Sequence, residues 1–217
     1  MKKFIVVAGN IGVGKSTLVT LLSQHLSWQP FYEPEGENPY LADFYNDMRT
    51  WAFQSQVFFL ARRLQTHRQV LDYPASAIQD RSVYEDAEIF AANLYQSGMM
   101  SERDYRCYVD LYRGLTAFLP PPDLVVYLRA TVSTLVERIS QRGRGYESDI
   151  SPDYLAQLNE LYESWVCSFN MGPVLTVPAD DLNYVARPAH LVLVMRKVKE
   201  TLTGKDEVVF RQEEMEN

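Results

Sequence analysis

Short apolar runs alternate along the chain with longer segments in which apolar residues recur at helical spacing. The first run, residues 4–8, is continuous and rich in β-branched side chains, as expected of a strand buried on both faces. The segment that follows, residues 15–26, carries leucines at helical spacing and predicts an amphipathic helix. Similar apolar runs predict further strands before Tyr32 and at residues 75–79, 124–128 and 174–177. The segments between these runs predict helices at residues 50–72, 83–95, 102–118, 131–141, 152–169 and 187–202.

This alternation indicates an α/β domain built on a parallel sheet. The length of 217 residues suits one domain. We assign residues 1–204 to that domain and expect the charged residues 205–217 to form a frayed tail. Ligands of such folds bind beyond the carboxyl ends of the strands, so the residues that directly follow each strand are the candidate site residues.

Charge and cysteine content narrow the class of protein. The formal net charge of −7 argues against a protein that coats nucleic acid or a membrane surface, so we expect neither as a partner. No apolar run approaches the roughly 20 residues that cross a bilayer, and residues 4–8 are too few for the hydrophobic region of a signal peptide. Cys107 and Cys167 show neither metal-ligand spacing nor a disulfide pattern. These features favour a reduced, cytoplasmic protein.

A glycine-rich phosphate loop follows the first predicted strand. Residues 9–16 match the pattern G-x-x-x-x-G-K-[ST] in full. The glycines let backbone N–H groups point at phosphate oxygens beside a helix N-terminus. Lys15 is expected to reach the β- and γ-phosphates, and the Ser16 hydroxyl to ligate Mg²⁺. The predicted contacts of the triphosphate, most simply ATP, are Gly9, Asn10, Ile11, Gly12, Val13, Gly14, Lys15, Ser16 and Thr17.

Three further motifs follow the later strands in order. They read Tyr32-Glu33-Pro34, Asp80-Arg81-Ser82 and Arg138-x-x-x-Arg142-Gly143-Arg144-x-x-Glu147. With the phosphate loop, they make residues 3–182 resemble the deoxynucleoside kinase family, and the aspartate at Asp80 resembles its bacterial deoxyadenosine kinase branch. The resemblance implies a P-loop NTPase-type parallel sheet flanked by helices, with an arginine-rich lid. It also implies a homodimer and an ATP-dependent phosphorylation of the deoxynucleoside 5′-hydroxyl.

The acceptor side separates two kinds of kinase. A nucleoside monophosphate kinase of the thymidylate type shares the phosphate loop and a strand-end Asp-Arg pair. Its acceptor already carries a phosphate, which Glu33 and its neighbours Glu35 and Glu37 would repel. The sequence therefore favours an uncharged deoxynucleoside as the acceptor.

Two carboxylates are candidates for the proton acceptor. Either Glu33 or Asp80 could take the proton of the 5′-hydroxyl as the phosphoryl group transfers, and Asp80 is also the expected Mg²⁺ ligand beside Ser16. Arg81 offers a planar fork to phosphate oxygens and to Glu33. Arg142 and Arg144 are expected to close over the γ-phosphate in the transition state.

The base pocket is predicted from family spacings. Gln54 and Gln56 compete as the base-reading amide, and only Gln56 has an arginine seven residues later and a tyrosine eleven residues earlier. In the family, the pairing of this arginine with the aspartate five residues after Arg81 accompanies purine and deoxycytidine users. We therefore expect purine deoxynucleosides, deoxyadenosine or deoxyguanosine, to be favoured and deoxycytidine to be possible. The predicted deoxynucleoside contacts are Glu33, Tyr45, Gln56, Arg63, Arg81, Asp86, Phe90 and Glu147.

The resemblance assigns finer roles within both halves of the site. Tyr45 and Glu147 correspond to residues that contact the sugar 3′-hydroxyl, and Phe90 could stack on the base. Arg138 and Arg142 lie four apart on one helical face, towards ATP. A looser match places Asp180, Asp181 and Leu182 in the loop that contacts the adenine of ATP.

Overall fold

A five-stranded, all-parallel sheet forms the centre of the molecule, in the order β2-β3-β1-β4-β5. The computed structural model describes residues 2–33, 35–144, 147, 150–204 and 208–215. The strands are β1 (Phe4–Gly9), β2 (Gln29–Phe31), β3 (Ala77–Asp80), β4 (Leu124–Arg129) and β5 (Val174–Pro178). The predicted α/β class and parallel sheet are confirmed. The third strand starts two residues later than predicted and includes Asp80.

Helices cover both faces of the sheet. They are α1 (Lys15–Leu26), α2 (Leu41–Asn46), α3 (Met48–Asp72), α4 (Val83–Glu85), α5 (Ala92–Gln96), α6 (Glu102–Thr116), α7 (Val132–Arg142), α8 (Pro152–Ser168), α9 (Pro188–Leu202) and α10 (Gln212–Met215). Among the described residues, no helix combines the length and the apolar character needed to cross a membrane.

Alternate residues of β1 serve two separate cores. Phe4, Val6 and Ala8 pack against the helices on one face, which include α3, α6 and α8. Ile5 and Val7 pack against α1, α7 and α9 on the other face. All of these side chains are buried because successive residues of a strand point to opposite faces, and both faces are covered. This explains the continuous apolar run at residues 4–8.

Strand register gathers the strand ends at one edge of the sheet. Val7 of β1 lies beside Asp80 of β3 on one side and beside Val126 of β4 on the other. The chain leaves β1 at Gly9 and β3 at Asp80, so the phosphate loop and the Asp80-Arg81 pair emerge next to each other. This edge is where the α/β architecture places ligands.

The helix predicted at residues 83–95 contains an irregularity. A π-helical segment, Asp86–Ala91, lies between α4 and α5. Such a segment inserts an extra residue into a helical turn and is frequent at functional sites. Apolar spacing does not reveal it, because the residues on both sides of the insertion keep an apolar face.

Part of the expected frayed tail is folded. The Glu214 carboxylate of α10 accepts hydrogen bonds from Arg196 (2.6 Å) and Lys197 (3.0 Å) of α9. Phe210 and Met215 pack against the core that lies on the α9 face. The expectation of fraying is therefore wrong for residues 208–215, because apolar side chains interrupt their charged sequence. The division of the chain at residue 204 stays a prediction.

Candidate active site

The phosphate loop connects β1 to α1 in a conformation that needs glycine. Gly9 has a φ of 142°, and a Cβ there would lie 2.7 Å from the Leu128 carbonyl oxygen. Gly12 has a φ of 81°, and its Cβ would lie 2.6 Å from the Ile139 side chain. Both values of φ belong to a region that L side chains rarely adopt. The loop therefore keeps its backbone close to β4 and α7.

Lys15 is buried at the first position of α1. Its ammonium donates to the Asn10 carbonyl oxygen at 3.0 Å. Burial and the positive charge of Arg81 lower the pKa of Lys15 to about 8, while Asp80 and Glu33 oppose that change. Desolvation disfavours the charged form of an amine. Lys15 is thus a cation held beside the loop backbone, where the family motif places a phosphate-binding lysine.

The side-chain oxygens of Ser16 and Asp80 lie next to each other beside the phosphate loop. The Ser16 hydroxyl donates to Asp80 Oδ2 at 2.5 Å. Burial raises the pKa of Asp80 to about 6 in spite of nearby Lys15. Asp80 Oδ1 is buried and has no hydrogen-bond partner in the part of the chain that the structure describes. A hydroxyl and a carboxylate with one uncommitted oxygen fit Mg²⁺, which takes oxygen ligands and keeps several waters.

Glu33 lies between two arginines. Arg63 forms an ion pair with its Oε1, and Arg81 donates to its Oε2 at 3.1 Å. Burial alone would raise the pKa of Glu33, but the charges of Arg63, Arg81 and Lys15 lower it to about 2. Glu33 is therefore ionised throughout the physiological range. The contact with Arg81 was predicted, and the contact with Arg63 was not.

Arg81 has an unusual backbone conformation. Its φ is 64°, a left-handed value that costs a non-glycine residue roughly 1–3 kcal/mol and persists where the surroundings impose it. Its guanidinium donates to the Tyr162 hydroxyl at 2.8 Å and lies 4.5 Å from the centre of the Phe90 ring. Phe90 thus supports an arginine of the site through a cation–π contact.

One cavity of about 640 Å³ joins the phosphate loop to α3. It brings together most of the predicted site residues, namely Ile11, Gly12, Gly14, Lys15, Ser16, Thr17, Glu33, Tyr45, Gln56, Arg63, Arg81, Asp86, Phe90, Arg138, Arg142, Arg144, Glu147, Asp180 and Leu182. Five predicted residues do not line it: Gly9, Asn10, Val13, Asp80 and Asp181. A shared cavity of this size is typical of a small-molecule site.

Two of these five residues have contacts or exposure that account for their position. The Asn10 amide turns away from the cavity and donates to the Leu155 carbonyl (2.9 Å) and to Asn159 Oδ1 (2.8 Å), so it ties the loop to α8. Asp181 is exposed. Neither side chain is placed to contact a ligand in the cavity.

The end of the cavity at α3 carries the predicted base-reading groups. Gln56 is buried and lines the cavity, whereas Gln54 is exposed. Arg63 forms an ion pair with Asp86, and its guanidinium lies 5.0 Å from the centre of the Phe59 ring. Gln56 Oε1 and Asp86 Oδ2 are buried without a hydrogen-bond partner among the described residues. Buried polar atoms of native proteins nearly always have a hydrogen-bond partner, so both oxygens are suited to bind a ligand in the cavity.

The lid arginines make contacts that their spacing did not reveal. Arg138 donates to the Val13 and Ala179 carbonyl oxygens at 2.8 Å each, and so joins the phosphate loop to the segment after β5. Arg142 binds the buried Glu147 carboxylate at 2.5 and 2.6 Å, and Arg144 lies 3.5 Å from it. Glu147 was predicted to contact the sugar 3′-hydroxyl. In the structure, its carboxylate forms ion pairs with Arg142 and Arg144.

The segment after β5 stabilises the start of α7 and also lines the cavity. Asp180 accepts from the Thr131 backbone N–H at 2.9 Å, just before α7 begins. Its main contact is thus structural, although it also lines the cavity. Leu182 is buried, and the next residues of the wall were missed by the sequence analysis: Asn183, Tyr184 and Val185. None of these three residues carries a carboxylate or belongs to a phosphate-binding motif, so no sequence signal marked them.

Other residues of the site were missed as well. Leu41, Phe44, Phe59, Gln141 and Tyr154 also line the cavity. Glu85 lies behind Arg81, fully buried. Apolar wall residues look like ordinary core residues in a sequence. Glu85 did leave a signal, because Ser82-x-x-Glu85 is a helix-capping pattern, and the structure contains both hydrogen bonds of that capping box.

A phosphate loop, a hydroxyl–carboxylate pair beside it and a cavity that ends in a second set of polar groups define a P-loop enzyme that transfers phosphoryl groups to a small molecule. Within the described residues, no group of three or more His, Cys, Asp or Glu side chains is arranged to hold a metal ion by itself. A magnesium ion held by Ser16 and Asp80 would therefore take its remaining ligands from the nucleotide phosphates and water.

Comparisons with known proteins define the family. The family model described as deoxynucleoside kinase matches residues 5–203. The deoxyadenosine/deoxycytidine kinase of Bacillus subtilis (strain 168) is 38% identical over 179 residues, which cover 82% of each chain. The deoxyadenosine kinase of Lactobacillus acidophilus is 33% identical over 211 residues, 93% of this chain and 97% of that one. A structure of deoxyadenosine kinase from M. mycoides superposes with a TM-score of 0.81 and 31% identity, and covers 91% of this chain and 99% of that one.

The chain belongs to the deoxynucleoside kinase family, and it is an enzyme that phosphorylates deoxynucleosides. The predicted resemblance and the predicted fold are thereby confirmed. The family match favours the deoxynucleoside over the monophosphate as the acceptor, in agreement with the acidic Glu33 in the cavity.

Proposed function

We propose that the enzyme transfers the γ-phosphoryl group of ATP to the 5′-hydroxyl of deoxynucleosides, with purine deoxynucleosides favoured and deoxycytidine possible. One observation carries the substrate assignment. Gln56 Oε1 and Asp86 Oδ2 are buried without a hydrogen-bond partner among the described residues, and both residues line the cavity beside Arg63. Both oxygens can accept hydrogen bonds from the exocyclic amino group of a base, and the Gln56 amide NH₂ can also donate to a ring nitrogen.

This end of the cavity disfavours thymine. Adenine, guanine and cytosine each carry an exocyclic amino group and thymine carries none, so thymine offers the Asp86 carboxylate no amino donor. A buried acceptor without a donor costs roughly 1–3 kcal/mol. The preference for a purine is supported by the names of the relatives, two of which are deoxyadenosine kinases.

The donor half would hold ATP and Mg²⁺. Backbone N–H groups of the phosphate loop and the Lys15 ammonium would bind the phosphates, while Leu182 and Asn183 would border the adenine. Ser16 and Asp80 would hold Mg²⁺, which when bound neutralises charge on the β- and γ-phosphates. A structure of the M. mycoides enzyme with bound dATP supports triphosphate binding in this fold.

In the acceptor half, we assign the contact with the 5′-hydroxyl to Glu33. Glu33 lines the cavity, and Asp80 does not. A loose, dissociative transition state needs little early proton removal, so an ionised carboxylate of low pKa can orient the hydroxyl and accept its proton late. Arg81, Arg142 and Arg144 would stabilise charge on the transferring group. Tyr45 and Glu147 would border the sugar 3′-hydroxyl.

Labelled ATP tests this proposal with each deoxynucleoside and each deoxynucleoside monophosphate as acceptor. Deoxyadenosine or deoxyguanosine should give the highest kcat/KM, deoxycytidine a lower one, and thymidine the lowest. A substrate profile led by thymidine, or labelling of monophosphates alone, would overturn it.

A matched pair of variants tests the base contact. Gln56→Ala should lower kcat/KM for deoxyadenosine by about 10- to 100-fold, as expected for the loss of a bidentate base contact. Gln54→Ala, two positions away on the exposed face of the same helix, should leave it unchanged. Equal losses in both variants would refute the assignment of Gln56.

We also propose that the enzyme is a cytoplasmic homodimer that acts on small molecules and not on nucleic acid. Leu111, Leu115 and Phe118 lie exposed along and just after α6, and Phe118 is 89% exposed. Such apolar exposure supports an interface between copies. Both cysteines are free and exposed, which suits a reducing compartment. Light scattering of the wild type and of Phe118→Ser tests the dimer, because the variant should shift the mass towards one chain.

A further inference from the structure

We propose that Glu85 is a positioning residue that holds the phosphate loop and Arg81 in one fixed geometry, although it contacts no substrate. Glu85 is fully buried on α4, and it does not line the cavity. A carboxylate is almost never buried completely unless its partners compensate for the lost water. Its partners therefore indicate what it does.

One oxygen of Glu85 fixes the backbone that follows Arg81. Oε2 accepts from the Ser82 N–H at 2.7 Å and from the Ser82 hydroxyl at 3.1 Å. The first of these bonds holds the peptide group that directly follows Arg81. Because Arg81 adopts a φ of 64°, its conformation must be imposed by neighbours, and Glu85 supplies one of them.

The other oxygen reaches the donor half of the site. Oε1 accepts from the Gly9 N–H at 3.3 Å, at the first residue of the phosphate loop. The Tyr162 hydroxyl lies 2.8 Å from the same oxygen and 2.9 Å from the Gly9 carbonyl oxygen. Glu85 and Tyr162 together thus contact both polar groups of the Gly9 backbone.

The same pair also holds the Arg81 side chain. The Arg81 guanidinium donates to the Tyr162 hydroxyl at 2.8 Å and lies 3.6 Å from Glu85 Oε1. Its other side faces Glu33, which lines the cavity. Arg81 therefore lies between two carboxylates, Glu33, which a substrate in the cavity can reach, and Glu85, which it cannot reach. Without the charge of Glu85, the guanidinium would be drawn towards Glu33 alone.

Two variants separate this role from simple helix capping. In Glu85→Gln, the amide keeps the shape and the Ser82 contact but removes the negative charge beside Arg81. Tyr162→Phe removes the hydroxyl that joins Arg81 to Gly9 and keeps the ring in the core. We expect kcat to fall by about tenfold or more in each, because small misplacements of catalytic groups cost this much. KM for ATP and for the deoxynucleoside should each change by less than about threefold, because neither residue touches a ligand.

Glu88→Gln is the matched control, since Glu88 lies one turn further along the same helical stretch and is exposed. Glu88→Gln should keep the wild-type kcat. The inference rests on the proposed function, and the wild-type assay separates the two. An inactive wild type would overturn the proposed function, whereas an active wild type with an unaffected Glu85→Gln would overturn only the role of Glu85.

The double variant Glu85→Gln/Tyr162→Phe completes the test. If both residues act through Arg81 as one unit, the double variant should lose little more than the worse single variant. Independent, multiplicative losses would overturn the proposal. So would a rise in KM with an unchanged kcat, or a loss of kcat that merely follows a loss of thermal stability.

Discussion

Replacement of Asp80 by asparagine should stabilise the free enzyme while it strongly lowers activity. Asp80 is buried, and burial raises its pKa from 3.8 to about 6. The folded state thus disfavours the ionised form that prevails at neutral pH. Asparagine keeps the acceptor for the Ser16 hydroxyl and carries no charge, so the variant avoids the desolvation cost.

The size of the effect follows from the pKa. A rise of about two units corresponds to about 3 kcal/mol at pH 7.5. The gain should be about 1–3 kcal/mol, because the attraction of Lys15 is already included in this net rise and the buried asparagine amide still loses contact with water. At this chain length, such a gain raises Tm by roughly 2–12 °C.

The sign of the pH dependence gives a sharper test. The folded state binds this proton more tightly than the unfolded state, so the stabilising contribution of protonated Asp80 is complete below about pH 4 and disappears as pH rises through about 6. The difference between Asp80→Asn and wild type should therefore shrink by about half between pH 7.5 and pH 5.

Thermal unfolding measures this difference in EDTA and without nucleotide. Asp110→Asn, on the exposed side of α6, serves as the control for the loss of a surface charge. An Asp80→Asn variant that is no more stable than wild type at pH 7.5, or an advantage that does not vary with pH, would refute the reasoning.

Three further predictions concern the donor half. Because the pKa of Lys15 is lowered to about 8, kcat/KM for ATP should fall above about pH 8 as the ammonium loses its proton, and a flat profile up to pH 9.5 would contradict this. Arg138→Met should raise KM for ATP more than KM for the deoxynucleoside, because two backbone carbonyls of the donor half lose their donor; equal changes would contradict it. His190→Phe should raise KM for ATP severalfold without changing kcat, since His190 Nδ1 accepts from the Asn183 N–H at 2.9 Å; an unchanged KM would show that the Asn183 loop does not need this bond.

The parts of the site that are contiguous in sequence could be predicted, because one local structure carries their chemistry. Gly9–Ser16 is a strand, a loop and a helix start, and each step has its own sequence signal. Gln56 could be chosen over Gln54 because it matches the spacings of the family that the sequence resembles, and the structure buries the first and exposes the second.

Contacts between distant segments could not be predicted. The ion pair between Arg63 and Glu33 joins residues 30 positions apart, and no local pattern records which of several carboxylates an arginine will reach. Glu85 was recognisable as a capping residue, but its bond to the Gly9 N–H spans 76 positions. Such pairings depend on how the helices pack on the sheet, which periodicity leaves open.

Taken by themselves, the pKa values of Asp80 and Glu33 argue against our choice of proton acceptor. Asp80, with a pKa of about 6, is the stronger base, and Glu33, with a pKa of about 2, is the weaker one. We favour Glu33 on position, because Glu33 lines the cavity and Asp80 does not.

A pH profile can check this choice. At saturating ATP and Mg²⁺, kcat/KM for the deoxynucleoside reports the ionisations of the nucleotide-bound enzyme. If Glu33 accepts the proton, this quantity should stay flat from pH 7.5 to about 5, because Glu33 remains ionised over that range. An acid limb near pH 6 that disappears in Asp80→Asn, with residual activity retained, would assign the proton to Asp80 instead. Glu33→Gln should then leave the acid limb in place, whereas our assignment requires that it abolish turnover.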